Sequence, residues 1–380
     1  MSGNQQHQTI YAGTNRDHFY TPFHLRVDPM ERLLLINWRK GQYYKGAEPQ
    51  WFDDEQHGRG LLVILYRIDD KVDVYHQPTL TLDPAAYQIQ SGLGQMVACH
   101  FERSHFQIRP QGVDADIAFT DHAGRPIVLR IREDHATRAG SFSLLAPMGH
   151  TIKEPDALPL FFLYDFSFVK VGGSEVTVTV DGAPRELVKL PVPMGGSRVY
   201  LTRYCGDPFI AFWNPQTSGP LTGSPVTGHE QPTVDGVRYA LVRNAGHYEI
   251  AAMARGLETA GSRPARELQV TFDPPFPALT TLRDGVSVAG AFRAKMAPIP
   301  DAGDVGGEWQ VARHGHQVQV RLRPSAGWQP GEPALTPRLI FTIVRPFKQW
   351  PKSYEWTAAI DLSRADAPTI TSTWQRLSSL

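Results

Sequence analysis

Cysteine is nearly missing from this chain: 380 residues contain two, Cys99 and Cys205. That excludes a disulfide framework and leaves a pair of reduced thiols, one or both of them buried. An excess of either charge is missing too. Lys plus Arg and Asp plus Glu number 38 each, so the formal net charge is zero. A neutral chain has no field to draw it to nucleic acid or anionic lipid, and no nucleic-acid partner is expected. Long apolar runs are absent. The longest, residues 61–66 and 158–164, are strand-sized, against the ~20 residues that span a bilayer, so no membrane span is predicted. The first nine residues are polar and lack the apolar stretch of a signal peptide, which makes the cytoplasm the default expectation. No G-x-G-x-x-G, Walker loop, G-x-S-x-G, H-E-x-x-H or C-x-x-C occurs. This argues against regular nucleotide sites, α/β-type serine hydrolases and zincins. No cofactor and no metal is predicted.

What the chain has in quantity is strand and turn signal. Apolar residues are 41% and charged residues 20%, enough for a sizeable core. Glycine (33) and proline (31) suit many short elements with many reversals. In 175–180, Val176, Val178 and Val180 alternate with polar residues; in 267–272 the apolar set is Leu268, Val270 and Phe272, and in 317–323 it is Val318, Val320 and Leu322. Successive strand side chains leave opposite faces, so period two marks a sheet with one buried face. The continuous runs 61–66 and 338–344 read as strands covered on both faces. Asp181-Gly182, Asp235-Gly236 and Asp284-Gly285 are hairpin signals, and 122–124 and His314-Gly315 are further tight turns. Helix evidence is thin. Residues 247–259 put Ile250, Met253 and Leu257 on one helical face, weakened by Gly256, and 83–87 offers a single turn. Residues 214–228 and 298–307 read as loops, and 1–17 as a frayed N-terminus.

Candidate chemistry falls in a few clusters. In 99–105, His100 and Glu102 share one face of a strand, a pairing that serves a general base with its orienting carboxylate or two metal ligands. A solvated strand edge explains the same pair. In 114–122, Asp114 and Asp116 face one side, while Asp121-His122 beside Gly124 fits local turn bonding. Asp165 stands alone among aromatics in 160–168. Enclosed in an apolar wall, its carboxyl would be held neutral and could donate a proton. Out of phase with Phe166 and Phe168, it could equally face water. Trp38, Tyr43, Tyr44 and Trp51 could line a ligand pocket, although aromatics are more often core. His314 and His316 flank a turn glycine and read as turn residues. No metal site is assigned.

A faint internal echo lies about half the chain length apart. In 124–132 and in 315–323 a turn glycine precedes a strand with apolar residues at the third, fifth and seventh places after it and arginines at the sixth and eighth. With the strand-rich two-part layout and the length, this echo resembles the double-lipocalin group, which includes carotenoid 1,2-hydratase-like proteins and decalin-forming Diels-Alderases. The resemblance covers architecture alone and carries over no catalytic residue. It implies two consecutive β units with an apolar pocket between or within them. Mutarotase-like supersandwiches fit the length and composition nearly as well.

The expectation is an all-β protein of two packed antiparallel β units, lipocalin-like barrels or sandwiches. The N-terminal unit is placed at 18–213, a linker at 214–234 and the C-terminal unit at 235–380. The expected function is binding of a small hydrophobic molecule in an aromatic-lined pocket, as a hydratase, isomerase or cyclase using Asp165 with His100 or Glu102. The alternatives are a non-catalytic ligand or carbohydrate binder and an interaction scaffold. The sequence does not give the oligomeric state.

Overall fold

Alternating apolar residues between turn signals produce strands throughout. The computed structural model describes residues 10–13, 17–39, 41–148, 155–226, 231–257, 266–297, 302–331, 335–364 and 366–377. Strands make up 63% of the structure and helices 6%, so the all-β expectation holds.

Residues 25–213 build two sheets. One has ten strands, in the order Leu25–Asp28, Asp207–Trp213, Leu158–Lys170, Val199–Cys205, Arg32–Asn37, Tyr44–Asp54, Gly58–Arg67, Val72–His76 and Leu93–Ala98, with Ala139–Ala146 added alongside Leu158–Lys170. Its last pair is parallel, joined through a crossover that contains the short 3-10 turn Pro84–Tyr87. The other has five strands: Ala183–Pro184, Glu175–Val180, Pro126–Arg132, Gly112–Thr120 and Phe101–Arg109. The period-two residues do what the pattern requires. Val63, Tyr75, Ile117 and Leu129 pack together between the two sheets, making a sandwich.

Most of the rest is one antiparallel meander of ten strands, from Thr233–Val234 through Thr369–Arg376 to Thr217–Pro220, curled around its apolar face. Two side chains from outside that meander fill its interior. Phe23 packs on Phe272, Phe276 and Trp356, with ring centroids 4.7–6.1 Å apart. Trp213 meets Phe292 and Trp374. The hairpin echo is present as well. Ile127, Leu129 and Ile131, and likewise Val318, Val320 and Leu322, are at most 1% exposed. It stops at the hairpins, since one belongs to the five-stranded sheet and the other to the meander.

Several local expectations are corrected. The segment 338–344 lies not in a strand but largely in the helix Leu335–Ile343, which buries Pro337 and Phe341, one turn apart, and leaves Leu339 and Ile343 exposed. Conversely, 247–257 is the strand His247–Leu257; residues 258 and 259 of that expected helix lie outside the described residues. The expected loop 214–228 contains the strands Thr217–Pro220 and Thr222–Pro225, the second paired with His18–Thr21; residues 227 and 228 are not among those described. Of the expected loop 298–307, residues from Asp304 onward begin the strand Asp304–His314, and 298–301 lie outside the described residues. Of the expected frayed N-terminus, 1–9 and 14–16 lie outside the described residues, but Tyr11 is buried, stacks on His247 at 4.3 Å and donates to Glu249. The 83–87 turn and the Asp-Gly turns are present.

Candidate functional site

The strand Leu158–Lys170 changes partner in its middle. Residues 158–164 pair with Asp207–Trp213, and 167–170 pair with Val199–Cys205. Gly206 is the single residue between those two partner strands. Asp165 falls at the changeover. Its φ is +50°, and among the described residues with positive φ other than glycine it alone lies inside a strand. The turn-out is physical: Tyr164 and Phe166 on either side stay buried, while the Asp165 side chain is 48% exposed.

Asp165 points into a cleft of about 620 Å³ at the edge of the sandwich. Ile108 and Arg109 come from the five-stranded sheet and Pro110 from the turn that follows, Arg138 directly precedes Ala139–Ala146, and Ser141, Gly206 and Asp207 come from the ten-stranded sheet and its strand junction. Arg138 is clamped. Its Nη1 donates to Asp165 Oδ2, and its Nε and Nη2 both donate to the Arg109 carbonyl. Behind the cleft, Arg266 of the meander donates to Asp207 and lies 4.6 Å over the Tyr164 ring; burial pulls its pKa down. The cleft is therefore polar, with the Arg138 guanidinium already committed and a carboxylate turned outward. It is not the closed apolar pocket expected around Asp165.

The other candidates do not join it. His100 and Glu102 are exposed. Glu102 lies seven residues before Arg109 on Phe101–Arg109, about 23 Å at ~3.3 Å per residue. Trp38 is buried and donates from Nε1 to the Tyr44 carbonyl. The Tyr44 hydroxyl bonds Asp73 and Asp121, and burial pushes its pKa up. Tyr43 and Trp51 carry Arg125 and Arg32 over their rings at 3.9 and 5.0 Å. These aromatics serve core packing and cation–π contacts. Asp121 accepts from the Ala123 and Arg125 amides, the turn chemistry expected of it. Asp114 and Asp116 share a face, where they pair with Arg109, Arg103 and Arg130. His314 and His316 are exposed at their turn. Cys99 is half-buried, its thiol pushed up to about 11 by burial, and Cys205 is buried; neither forms a disulfide.

Sequence reasoning missed one cluster. Glu48 is buried on the face of the ten-stranded sheet turned away from the sandwich core. It accepts from Gln50 Nε2 at 2.9 Å and from the Tyr66 hydroxyl. Burial raises its pKa despite those bonds, and burial with Glu48 beside it raises that of Tyr66 further. Arg203, also lowered by burial, donates to Asn37 at 3.1 Å nearby. The signal was a lone carboxyl in the run 46–52, but Pro49 and Gln50, which follow it directly, hid it as turn-like polarity.

No helix among the described residues is long and apolar enough to cross a membrane. No protein-family model, no curated protein and no solved structure matches this chain.

Proposed function

We propose that this chain binds a small molecule in the cleft at Asp165, and that the ligand presents an amine or hydroxyl donor on a partly apolar body. The observation that carries this is Asp165 itself, held at positive φ within a strand and turned out of an aromatic wall. Such backbone costs about 1–3 kcal/mol and clusters at ligand sites. The Arg138 donors are engaged, so Asp165 Oδ1 is the acceptor left facing the cleft. Ile108 and Pro110 supply the apolar wall. A sandwich followed by a curled meander supports the double-lipocalin reading of the layout. Fragment binding followed by ligand-observed NMR tests the site. Amine fragments should bind the wild type and lose about tenfold or more in Asp165→Asn, the scale of one charge-assisted hydrogen bond. If no amine or polyol fragment depends on Asp165, this reading falls.

The Glu48 cluster favours a second reading, acid catalysis on an alkene or carbonyl substrate. A buried carboxyl with a raised pKa is what a hydratase, isomerase or cyclase needs, and Glu48 meets that description better than the half-exposed Asp165. Its test is turnover of polyene or carbonyl candidates by Glu48→Gln, with an expected loss of ~10² or more if Glu48 is the acid.

A further inference from the structure

A second cavity of about 180 Å³ lies at the seam between the sandwich and the meander, away from Asp165. It is lined by Phe23 and Leu25, from the segment that enters the ten-stranded sheet, by Val237 and Tyr239 of the meander, and by Pro215 and Thr222. This lining is largely apolar, and Phe23, Leu25, Val237 and Tyr239 are buried.

Of the nitrogen-bearing side chains that line it, Arg255 and His24 have ring or guanidinium nitrogens without a hydrogen bond among the described residues. Arg255 donates through Nη1 to the Leu25 carbonyl at 2.6 Å and to the Asp235 carbonyl at 2.7 Å. Among the described residues its Nε and Nη2 make no hydrogen bond, and no carboxylate forms an ion pair with it. His24 is fixed by its backbone, which exchanges hydrogen bonds with Asn214 at 3.0 and 2.8 Å. Its ring has no hydrogen-bond partner among the described residues. An Arg fork tethered by one nitrogen, with no hydrogen bond on its other donors among the described residues, matches the two oxygens of a carboxylate.

Charge and size narrow the ligand. The Asp235 carboxylate stands at the rim and acts on both His24 and Arg255. Arg26, also on the lining, has its guanidinium stacked over Phe212 at 4.5 Å. One open cation against one carboxylate suits a monoanion and repels a dianion. A liquid water occupies ~30 Å³, so the space holds about six water-sized groups. We infer that the cavity is a binding site for a short-chain monocarboxylate of about four carbons, with its carboxylate on the open nitrogens of Arg255 and the His24 ring and its alkyl chain against Leu25, Val237 and Tyr239. Because the lining comes from both parts of the fold, occupancy clamps the sandwich to the meander.

The test uses the full chain with sodium butyrate as probe, matched against sodium chloride, inorganic phosphate and n-butylamine. Butyrate should raise the melting temperature saturably and give a calorimetric binding isotherm, while phosphate and n-butylamine should not. Arg255→Gln should weaken butyrate at least tenfold. Arg255 also ties two backbone segments, so loss of binding in this variant counts only if its circular dichroism matches the wild type. Val234→Phe, which fills the cavity from its rim, then decides the question, because it retains Arg255 and should abolish the isotherm. The proposal is overturned if butyrate does not saturate the wild type, if phosphate binds more tightly than butyrate, or if Val234→Phe binds butyrate as the wild type does.

Discussion

Asp165 joins a positive φ to an outward carboxylate, and the two properties respond to different substitutions. Asparagine tolerates the left-handed region and valine does not. Asp165→Asn should therefore leave urea stability within about 1 kcal/mol, since exposed ion pairs contribute little. Asp165→Val should cost about 1–2 kcal/mol more than Asp165→Asn. Equal stability of the two would mean that the backbone relaxes and that the strain argument fails. Glu48 allows a pH test. Burial raises its folded pKa above the ordinary value of 4.5, so the native chain holds this proton more tightly than the unfolded chain. Native protein then binds more protons between the ordinary and the raised pKa, and stability falls as pH rises through that window. Glu48→Gln removes this titration. Its melting temperature should gain on the wild type as pH rises, and parallel curves would show Glu48 to be unperturbed. At this scale the sequence revealed Asp165 as unusual, because one carboxyl among aromatics is visible by eye. It did not reveal Asp165's direction, which depends on a strand changing partners, a fact about distant residues.

Strands with clean alternation were legible, and the misread elements have identifiable causes. In His247–Leu257 a register shift between Ile250 and Ala252 resets the alternation. Ile250 and Met253 are then both buried although three residues apart, a spacing that reads as helical. In 338–344 the run is apolar on both sides, which reads as a doubly covered strand. The helix covers only one side, with Phe341 against Phe142 and Trp328. Gly307 shows how a loop-like composition can belong to a strand. In Asp304–His314 an added Cβ at this position would meet the Arg323 carbonyl at 2.2 Å and the Phe292 ring at 2.5 Å. Backbone approach that close leaves no room, so Gly307→Ala should destabilise by roughly 1–3 kcal/mol, the usual range for overpacking. Denaturation within experimental error of the wild type would mean that the neighbouring strand yields freely.

At the scale of the molecule, the sandwich and the meander share a core. Phe23 and Trp213 belong by sequence to the first part and fill the interior of the second. Phe23→Ala should cost about 3–5 kcal/mol, and it should lower the unfolding midpoint of both parts together. The wild type should unfold in one calorimetric transition, and two resolved transitions would show the plug to be incidental. Tyr11 carries the same interdependence into synthesis. Its hydroxyl bonds Glu249 across 238 residues of chain. At about 5–20 residues per second, Glu249 follows Tyr11 out of the ribosome by roughly 12–48 seconds. For that interval Tyr11 has no seat, so a residue made well before its partner is fixed in place only once that partner has emerged.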